Sequence, residues 1–379
     1  MMINETRLCD EFAKLAAISS PSFHEGEIAD YLQQRFVALG AEVTIDDAAT
    51  KINGQTGNLI ARFTGSDPTR EPLLLSAHMD TVSPAKGVEP VLEEGVFRSA
   101  GQTVLGADDK SGIAQIIEAI VVLQENNLPY PPLEVVITVC EEVGLLGAKH
   151  LDYSQLKARR GLVLDTSGVG MVARKAPCAN KLRFVVEGVE AHAGLDPEHG
   201  LSAIQVASLA ISQMKLGRID GETTANIGLV TGGQATNIIP KNVQLMGEAR
   251  SFDVEKLQRQ TDHMAQCFHD AAQQSEVMIR GQKTRATIHV DVMDDYPAMN
   301  VAPEALVLQH LRQAAADVDQ TLEVGVSGGG SDANLFNQHG IETANLATGM
   351  QKVHSVDEYI RVADLVSVCR LLSEFIRVS

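Results

Sequence analysis

The chain has 379 residues, of which 44% are hydrophobic and 21% are charged. This length suits two domains, and the composition supplies enough apolar side chains for a sizeable core. The formal net charge of −18 argues against nucleic acid or an anionic membrane as a partner. Five scattered cysteines without a C-x-x-C pair, and no apolar run of leader or membrane-span type, predict a cytoplasmic protein.

Helices and strands alternate in the first half of the sequence. Amphipathic helices are predicted within residues 4–39, and a strongly apolar helix from Ile113 to Leu123. Short apolar or alternating runs predict strands at residues 42–46, 58–63, 73–77, 133–140 and 161–165. This alternation predicts an α/β fold with a mostly parallel sheet, in which ligands bind at the carboxyl ends of the strands.

Titratable side chains stand at three of these predicted strand ends: His78, Asp80, Glu141, Glu142 and Asp165. Residues at positions i and i+2 of a strand share a face, so His78 and Asp80 can point into one cavity. In that arrangement the carboxylate fixes the orientation of an imidazole that binds a metal ion. The agreement between separate segments is what indicates a site at this edge of the sheet.

Two imidazoles and three carboxylates are the candidate metal ligands: His78, Asp108, Glu142, Asp165 and His354. Such a set can hold two divalent ions if one carboxylate bridges them, and it suits zinc, with cobalt or manganese as alternatives. Of the adjacent Glu141 and Glu142, one can bind metal while the other acts as general base. Taken alone, the pair could equally be a solvated acidic loop, and Asp108 could be a helix N-cap.

The pattern changes after residue 175. Strands and helices follow in the order β-α-β-β-α-β, which is that of a ferredoxin-like α+β domain. We therefore expect a small domain at residues 176–293, inserted into a catalytic domain made of residues 1–175 and 294–379. The catalytic domain ends with a glycine-rich loop at Ser327–Asp332, the segment around His354, and a closing helix.

Several short motifs, in this order and spacing, resemble the M20 family of dinuclear metallopeptidases. They are His78-Met-Asp80, Gly106-Ala-Asp108-Asp109-Lys110, Glu141-Glu142-Val-Gly, Asp165, Ala191-His192-Ala-Gly and His354-Ser. The resemblance covers nearly the whole chain, including the inserted domain. The segments Gly106–Lys110 and Gly329–Asn334 are most similar to the tripeptidase, or peptidase T, branch of the family.

The resemblance implies a role for each motif residue. Asp108 would bridge two ions; His78 and Asp165 would complete one site, and Glu142 and His354 the other. Asp80 would orient the imidazole of the first site, Glu141 would be the general base, and His192 would stabilise the oxyanion after the inserted domain closes as a lid. The alternative for His192 is an ordinary loop histidine.

The resemblance also implies contacts with a short peptide substrate. Asn237 and Arg250 on the lid resemble substrate contacts, and the Arg250 guanidinium could hold a terminal carboxylate. Backbone N–H groups of Gly329 and Gly330 could bind a carboxylate as well. Asn237 and Arg250 could instead be structural residues at strand ends, and the glycine-rich loop could be a flexible turn. Relatives of this kind also imply a homodimer formed through the inserted domain.

The function implied is hydrolysis of short peptides, releasing the N-terminal residue of tripeptides through a metal-bridging water activated by Glu141. An N-acyl-amino-acid deacylase or a carboxypeptidase would use the same dinuclear site on another amide. An inactive binding protein of the same fold is a further alternative, which the intact set of ligands disfavours.

Overall fold

The computed structural model describes residues 2–279 and 281–379, which form two compact units. The first unit is Met1–Ala176 with Met299–Ser379, and the second is Pro177–Ala298. The expected end of the insertion at residue 293 is therefore too early. Its last strand continues to pair as far as Tyr296, so the insertion ends only after that strand.

Helices and strands are numbered here in chain order. The helices are α1 Glu5–Ala17, α2 Gly26–Ala38, α3 Ala48–Ile52, α4 Ala107–Glu125, α5 Leu146–His150, α6 Ala203–Gln213, α7 Val254–Gln274, α8 Leu306–Asp317, α9 Asp332–Gln338 and α10 Val362–Val378. The strands are β1 Glu42–Ile45, β2 Leu59–Phe63, β3 Leu73–His78, β4 Pro90–Glu93, β5 Val96–Ser99, β6 Leu133–Thr138, β7 Arg160–Thr166, β8 Met171–Ala176, β9 Cys178–Glu187, β10 Gly217–Arg218, β11 Thr223–Gly232, β12 Asn242–Ser251, β13 Glu276–Ile279, β14 Gln282–Arg285, β15 Thr287–Tyr296, β16 Met299–Asn300, β17 Glu323–Val326, β18 Glu342–Ala347 and β19 Tyr359–Arg361.

The first unit is built on one large sheet with the strand order β1-β2-β6-β3-β7-β18-β8-β16, and β17 pairs with β8. Its central strands β6, β3, β7 and β18 are parallel, as expected for an α/β fold, and antiparallel pairs lie at the margins. The central strands β3 and β6 are buried along their whole length, which explains their nearly continuous apolar sequences.

Helix α4 packs along β3 and β7, and its apolar residues from Ile113 to Leu123 are buried. Gly112 permits this close approach, because a Cβ at that position would lie 2.5 Å from the carbonyl oxygen of Leu164. The N-terminal turn of the same helix carries Asp108, which has non-helical backbone angles. Close packing of α4 therefore brings Asp108 to the carboxyl edge of the sheet.

The second unit is an antiparallel sheet with the strand order β10-β11-β12-β9-β15, covered by α6 and α7. Numbered within the β-α-β-β-α-β repeat, its four long strands follow the order 2-3-1-4, which is the ferredoxin-like arrangement. A separate core supports it, in which Phe184 and Phe268 stack with ring centroids 4.2 Å apart. Asp253 caps α7 by accepting a hydrogen bond from the N–H of Lys256 at 3.0 Å.

Among the described residues, no helix is long and apolar enough to span a membrane. Two small sheets have no counterpart in the sequence-based predictions: the β13–β14 hairpin and the β19-β5-β4 sheet. Their strands are three or four residues long, too short to show a clear hydrophobic period.

Candidate metal centre

His78 is the last residue of β3 and is only 2% exposed. Its Nδ1 lies 2.9 Å from the backbone carbonyl oxygen of Asp80 and 3.4 Å from that residue's carboxylate. The nearer contact is therefore the carbonyl, although the sequence pattern predicted the carboxylate. Both contacts orient the ring so that Nε2 faces Asp108.

The carboxylate of Asp80 contacts the segment that carries the two adjacent glutamates. It accepts the backbone N–H of Glu141 at 2.9 Å and that of Glu142 at 3.3 Å, and the hydroxyl of Ser22 donates to it at 2.7 Å. The turn after β6 is thereby fixed next to the end of β3. One aspartate thus orients a candidate ligand and also holds the candidate general base in place.

Asp108 lies between the two candidate imidazoles. Its Oδ1 is 3.0 Å from Nε2 of His78, and its Oδ2 is 3.2 Å from Nε2 of His354. The first imidazole also lies 3.8 Å from Oδ1 of Asp165, and the second 3.0 Å from Oε1 of Glu142. The structure therefore brings together all five predicted ligands in two sets that share one carboxylate.

The donor atoms in each set have the spacing that a metal ion requires. Two ligand atoms bound at about 2.1 Å to one tetrahedral ion lie about 3.4 Å apart. The observed separations of 3.0–3.8 Å fall around that value. Imidazole with carboxylate is a donor chemistry suited to zinc, cobalt and manganese. These residues fit two divalent ions.

Burial and crowding of charge dominate the electrostatics of this centre. Burial opposes ionisation of Asp108, but hydrogen bonds with His354 and His78 outweigh it and lower the pKa of its carboxyl group. Hydrogen bonds to Asp108 and Glu142 raise the pKa of the His354 imidazole to about 10. Burial, followed by neighbouring carboxylates, raises the pKa of Glu141 well above its usual value. Bound cations would stabilise the gathered carboxylates.

Asn345, on β18, contacts the centre but was not singled out in the sequence. It accepts the backbone N–H of Asp165 at 2.9 Å and donates to that residue's carbonyl at 2.9 Å and to Ser331 Oγ at 3.1 Å. It therefore joins a ligand-bearing strand to the glycine-rich loop. Its strand also contains the polar residues Glu342 and Thr343, so no local pattern in the sequence distinguishes Asn345.

The glycine-rich loop lies between β17 and α9. The N–H of Gly329 donates to Oγ of Ser327 at 3.2 Å, so it is turned towards its own loop and not towards a ligand. Binding of a substrate carboxylate by the Gly329 N–H would require this hydrogen bond to be exchanged, and the roles of Gly329 and Gly330 in substrate binding stay predictions. Gly330 precedes Ser331, which caps α9, and the next residue, Asp332, accepts a hydrogen bond from Thr138 on β6 at 2.5 Å.

Two predicted lid residues, His192 and Asn237, are neighbours in the second unit. The carbonyl of Asn237 accepts the N–H of Ala193 at 2.9 Å, and both predicted side chains are exposed. Nδ1 of His192 accepts the N–H groups of Gly194 and Leu195, each at 3.2 Å. The neutral ring therefore carries its proton on Nε2, which makes that nitrogen a hydrogen-bond donor.

The third predicted lid residue, Arg250, lies near the other end of β12. Its Nη2 donates to the carboxylate of Glu248 at 2.9 Å, and its Nε is buried. Strand β12 begins at Asn242, four positions after Ile238, which pairs with His192. Arg250 lies eight residues further along the strand, a length of about 26 Å at about 3.3 Å per residue. The structure therefore does not bring Arg250 together with the His192 loop within the second unit.

An α/β sheet that gathers imidazoles and carboxylates at its carboxyl edge, interrupted by a ferredoxin-like insertion, is the architecture of metal-dependent hydrolases that cleave amide bonds. The particular family follows from direct comparison. Residues 74–378 match the model of Peptidase family M20/M25/M40, and the chain belongs to that family. It is therefore a peptidase.

Similar proteins cover the whole chain. The uncharacterized protein YqjE of Bacillus subtilis (strain 168) is 42% identical over 372 residues, which cover 98% of each chain. The crystal structure of aminopeptidase PepT from Bacillus cereus ATCC 10987 has 40% identity and a TM-score of 0.89, covering 100% of this chain and 99% of that one. A tripeptidase from Staphylococcus aureus has 36% identity and a TM-score of 0.93 with the same coverage.

Proposed function

We propose that this protein is a two-metal aminopeptidase that releases the N-terminal residue of tripeptides. The observation that carries the proposal is the position of Asp108, whose two carboxylate oxygens face different imidazoles at 3.0 and 3.2 Å. A carboxylate placed in this way can bridge two ions. A single ion would use only one of the two ligand sets.

The proposed ligands follow the two sets. His78, Asp108 and Asp165 would hold one ion, and Asp108, Glu142 and His354 the other. Zinc is the proposed metal, with cobalt or manganese as alternatives that the same donors accept. When bound, a pair of ions of this kind activates water and polarises the carbonyl group that is attacked.

Glu141 is the proposed general base. It belongs to neither ligand set and is a buried residue, 9% exposed, next to the proposed ligand Glu142. A carboxylate in this position can accept a proton from the attacking water and then deliver it to the leaving amine. The hydrogen bond from its N–H to Asp80 keeps it in position during both transfers.

His192 is proposed to stabilise the oxyanion that develops on the scissile carbonyl. Its protonated Nε2 is the donor that this role requires, and the two hydrogen bonds to Nδ1 fix the ring. Asn237, beside it, is proposed to contact the substrate backbone. Arg250 is proposed to hold the C-terminal carboxylate of the peptide, for which a guanidinium fork is well suited.

The separation within the lid supports a homodimer. An extended tripeptide spans at most about 11 Å, whereas about 26 Å of β12 separates Arg250 from Asn242, at the end of the strand that follows the Ile238 segment paired with the His192 loop. We propose that the two ends of one lid serve two different active sites in a dimer. Strand β11 offers a contact surface, because β10 pairs only with Thr224 and Ala225 and leaves Leu229 and Val230, 65% and 59% exposed, beyond its end. Sedimentation at the mass of a single chain would contradict this.

The substrate class is proposed from the solved structures described as PepT and a tripeptidase. The test is a panel of di-, tri- and tetrapeptides, free and blocked at either end, with metal-loaded enzyme and chromatography of the products. Free tripeptides should be cleaved fastest and should release their first residue, while N-acetylated tripeptides should resist. Faster cleavage of N-acyl amino acids would indicate a deacylase, and release of the last residue a carboxypeptidase.

A further inference from the structure

Glu358 is a buried glutamate that the proposed reaction does not use. It is 2% exposed, and its carboxylate accepts three backbone N–H groups from the turn that precedes and begins α4. Oε2 accepts those of Leu105 at 2.7 Å and Gly106 at 2.8 Å, and Oε1 accepts that of Asp108 at 3.0 Å. These contacts fix the backbone of the residue that lies between the two ligand sets.

Glu358 belongs to the loop that carries His354. Gln351 and Tyr359 close this loop by exchanging backbone hydrogen bonds at 3.0 and 3.1 Å, and the N–H of Glu358 donates to the carbonyl of Ser355 at 3.2 Å. One residue therefore links the His354 loop to the Asp108 turn. The imidazole itself is 52% exposed, so packing alone does not hold it against Asp108.

We infer that Glu358 is a positioning residue that sets the distance between His354 and Asp108, and thereby controls binding of the ion held by Asp108, Glu142 and His354. The inference rests on the proposed two-metal site. It assigns Glu358 no contact with substrate or with the reacting atoms. Its effect is transmitted through the backbone of the Asp108 turn and through its own loop.

The chemistry of the side chain explains why a carboxylate is needed. Three buried N–H groups converge on two oxygens, each of which can accept more than one hydrogen bond. A glutamine would keep one acceptor oxygen and turn an NH₂ group towards the remaining donors. Buried N–H groups left without partners are costly, so the turn would move to find new ones.

The experiment compares Glu358→Gln with a matched control, Glu134→Gln. Glu134 is also buried, at 4% exposure, and accepts the N–H groups of Lys157 at 2.9 Å and Ala158 at 2.8 Å. It is in neither ligand set and contacts neither ligand-bearing loop. Both substitutions remove one charge and disturb one set of buried backbone hydrogen bonds.

Cobalt(II) is titrated into four metal-free proteins: the wild type, the two variants and His354→Ala. Calorimetry and visible absorption measure the binding. Partner residues around metal ligands typically change affinity by about 10–100-fold. Glu358→Gln should lose affinity for one ion by about that factor, and the absorption band that weakens should be the one absent from His354→Ala. Glu134→Gln should bind both ions as wild type does, whatever its melting temperature.

The inference would be overturned if Glu358→Gln bound both cobalt ions with the affinities of the wild type. It would also be overturned if Glu358→Gln and Glu134→Gln lost cobalt affinity by the same factor. Should Glu358→Gln not fold, Glu358→Asp takes its place; its shorter side chain cannot reach all three N–H groups, and the same band should weaken. A wild-type protein that binds only one cobalt ion would instead contradict the proposed two-metal site. The two failures are therefore distinguishable.

Discussion

The candidate metal centre and the candidate substrate-contacting residues of the second unit differ in burial and in the contacts that hold their side chains. Around the centre, His78 and Asp108 are 2% and 8% exposed, and the side chains of Asp80, Asn345 and Glu358 accept backbone N–H groups of candidate ligands. In the second unit, His192 and Asn237 are exposed: the ring of His192 accepts only N–H groups of its own loop, and the carbonyl of Asn237 accepts the N–H of Ala193. The candidate ligands are thus gathered without substrate, whereas the proposed roles of His192 and Asn237 would require these residues to reach the substrate.

Removal of metal should have the largest effect. Dialysis against a chelator should reduce peptide hydrolysis to the buffer background, and zinc, cobalt or manganese should restore it. An ion present at a free concentration of 100 times its dissociation constant stabilises the folded state by about 2.7 kcal/mol. Calorimetry should therefore show the first unit unfolding earlier in the metal-free protein. Activity that survives complete removal of metal would show that the gathered ligands are not a catalytic metal centre.

Glu141→Gln should reduce kcat by about 10²–10⁴-fold while both ions remain bound. The amide keeps the shape of the side chain but cannot accept the proton of water. Glu142→Gln is the matched control and should lower metal occupancy first, because Glu142 lies 3.0 Å from the His354 imidazole. A normal rate in Glu141→Gln together with normal metal binding in Glu142→Gln would show that these roles are wrong.

His192→Ala should reduce kcat by about 10²–10³-fold, the usual effect of losing one oxyanion donor. Metal content and melting temperature should stay at wild-type values, since the side chain is exposed. His199→Ala provides a control from the same region, where an exposed imidazole contacts Asp196 at 2.6 Å. An unchanged kcat in His192→Ala would make it an ordinary loop residue.

Arg250→Gln should have the smallest effect, raising KM by about 10-fold, which corresponds to about 1.4 kcal/mol, with little change in kcat. A terminal carboxylate is bound alike in the ground state and the transition state, so its loss weakens binding alone. Peptides amidated at the C-terminus should already have the higher KM with the wild type. Equal KM values for free and amidated peptides would argue against this role for Arg250.

The sequence predicted the fold, and it identified the residues that lie together at the candidate centre, because both depend on short, local patterns. The alternation of apolar runs with helices predicted the α/β sheet, and the β-α-β-β-α-β order predicted the ferredoxin-like insertion. His78 and Asp165 were identified because they stand at the ends of apolar strands, where parallel sheets place their ligands. The structure brings these residues to one edge of the sheet.

Contacts between distant segments could not be predicted in this way. Asn345 and Glu358 act on backbone groups of residues that lie 180 and 250 positions away. Neither has a motif of its own. The orientation of the Gly329 N–H towards Ser327 depends on one loop conformation, which composition does not specify. Such contacts become visible only once the chain is folded.

We propose that Asp108 joins two metal sites. Anomalous scattering from crystals of the zinc-loaded enzyme tests it most directly, because each bound ion gives its own peak. Two peaks should appear, one between Asp108 and His78 and one between Asp108 and His354, about 3.5–4 Å apart as in other two-metal hydrolases. A single peak at full occupancy, with His354 or Glu142 uncoordinated, would contradict the account.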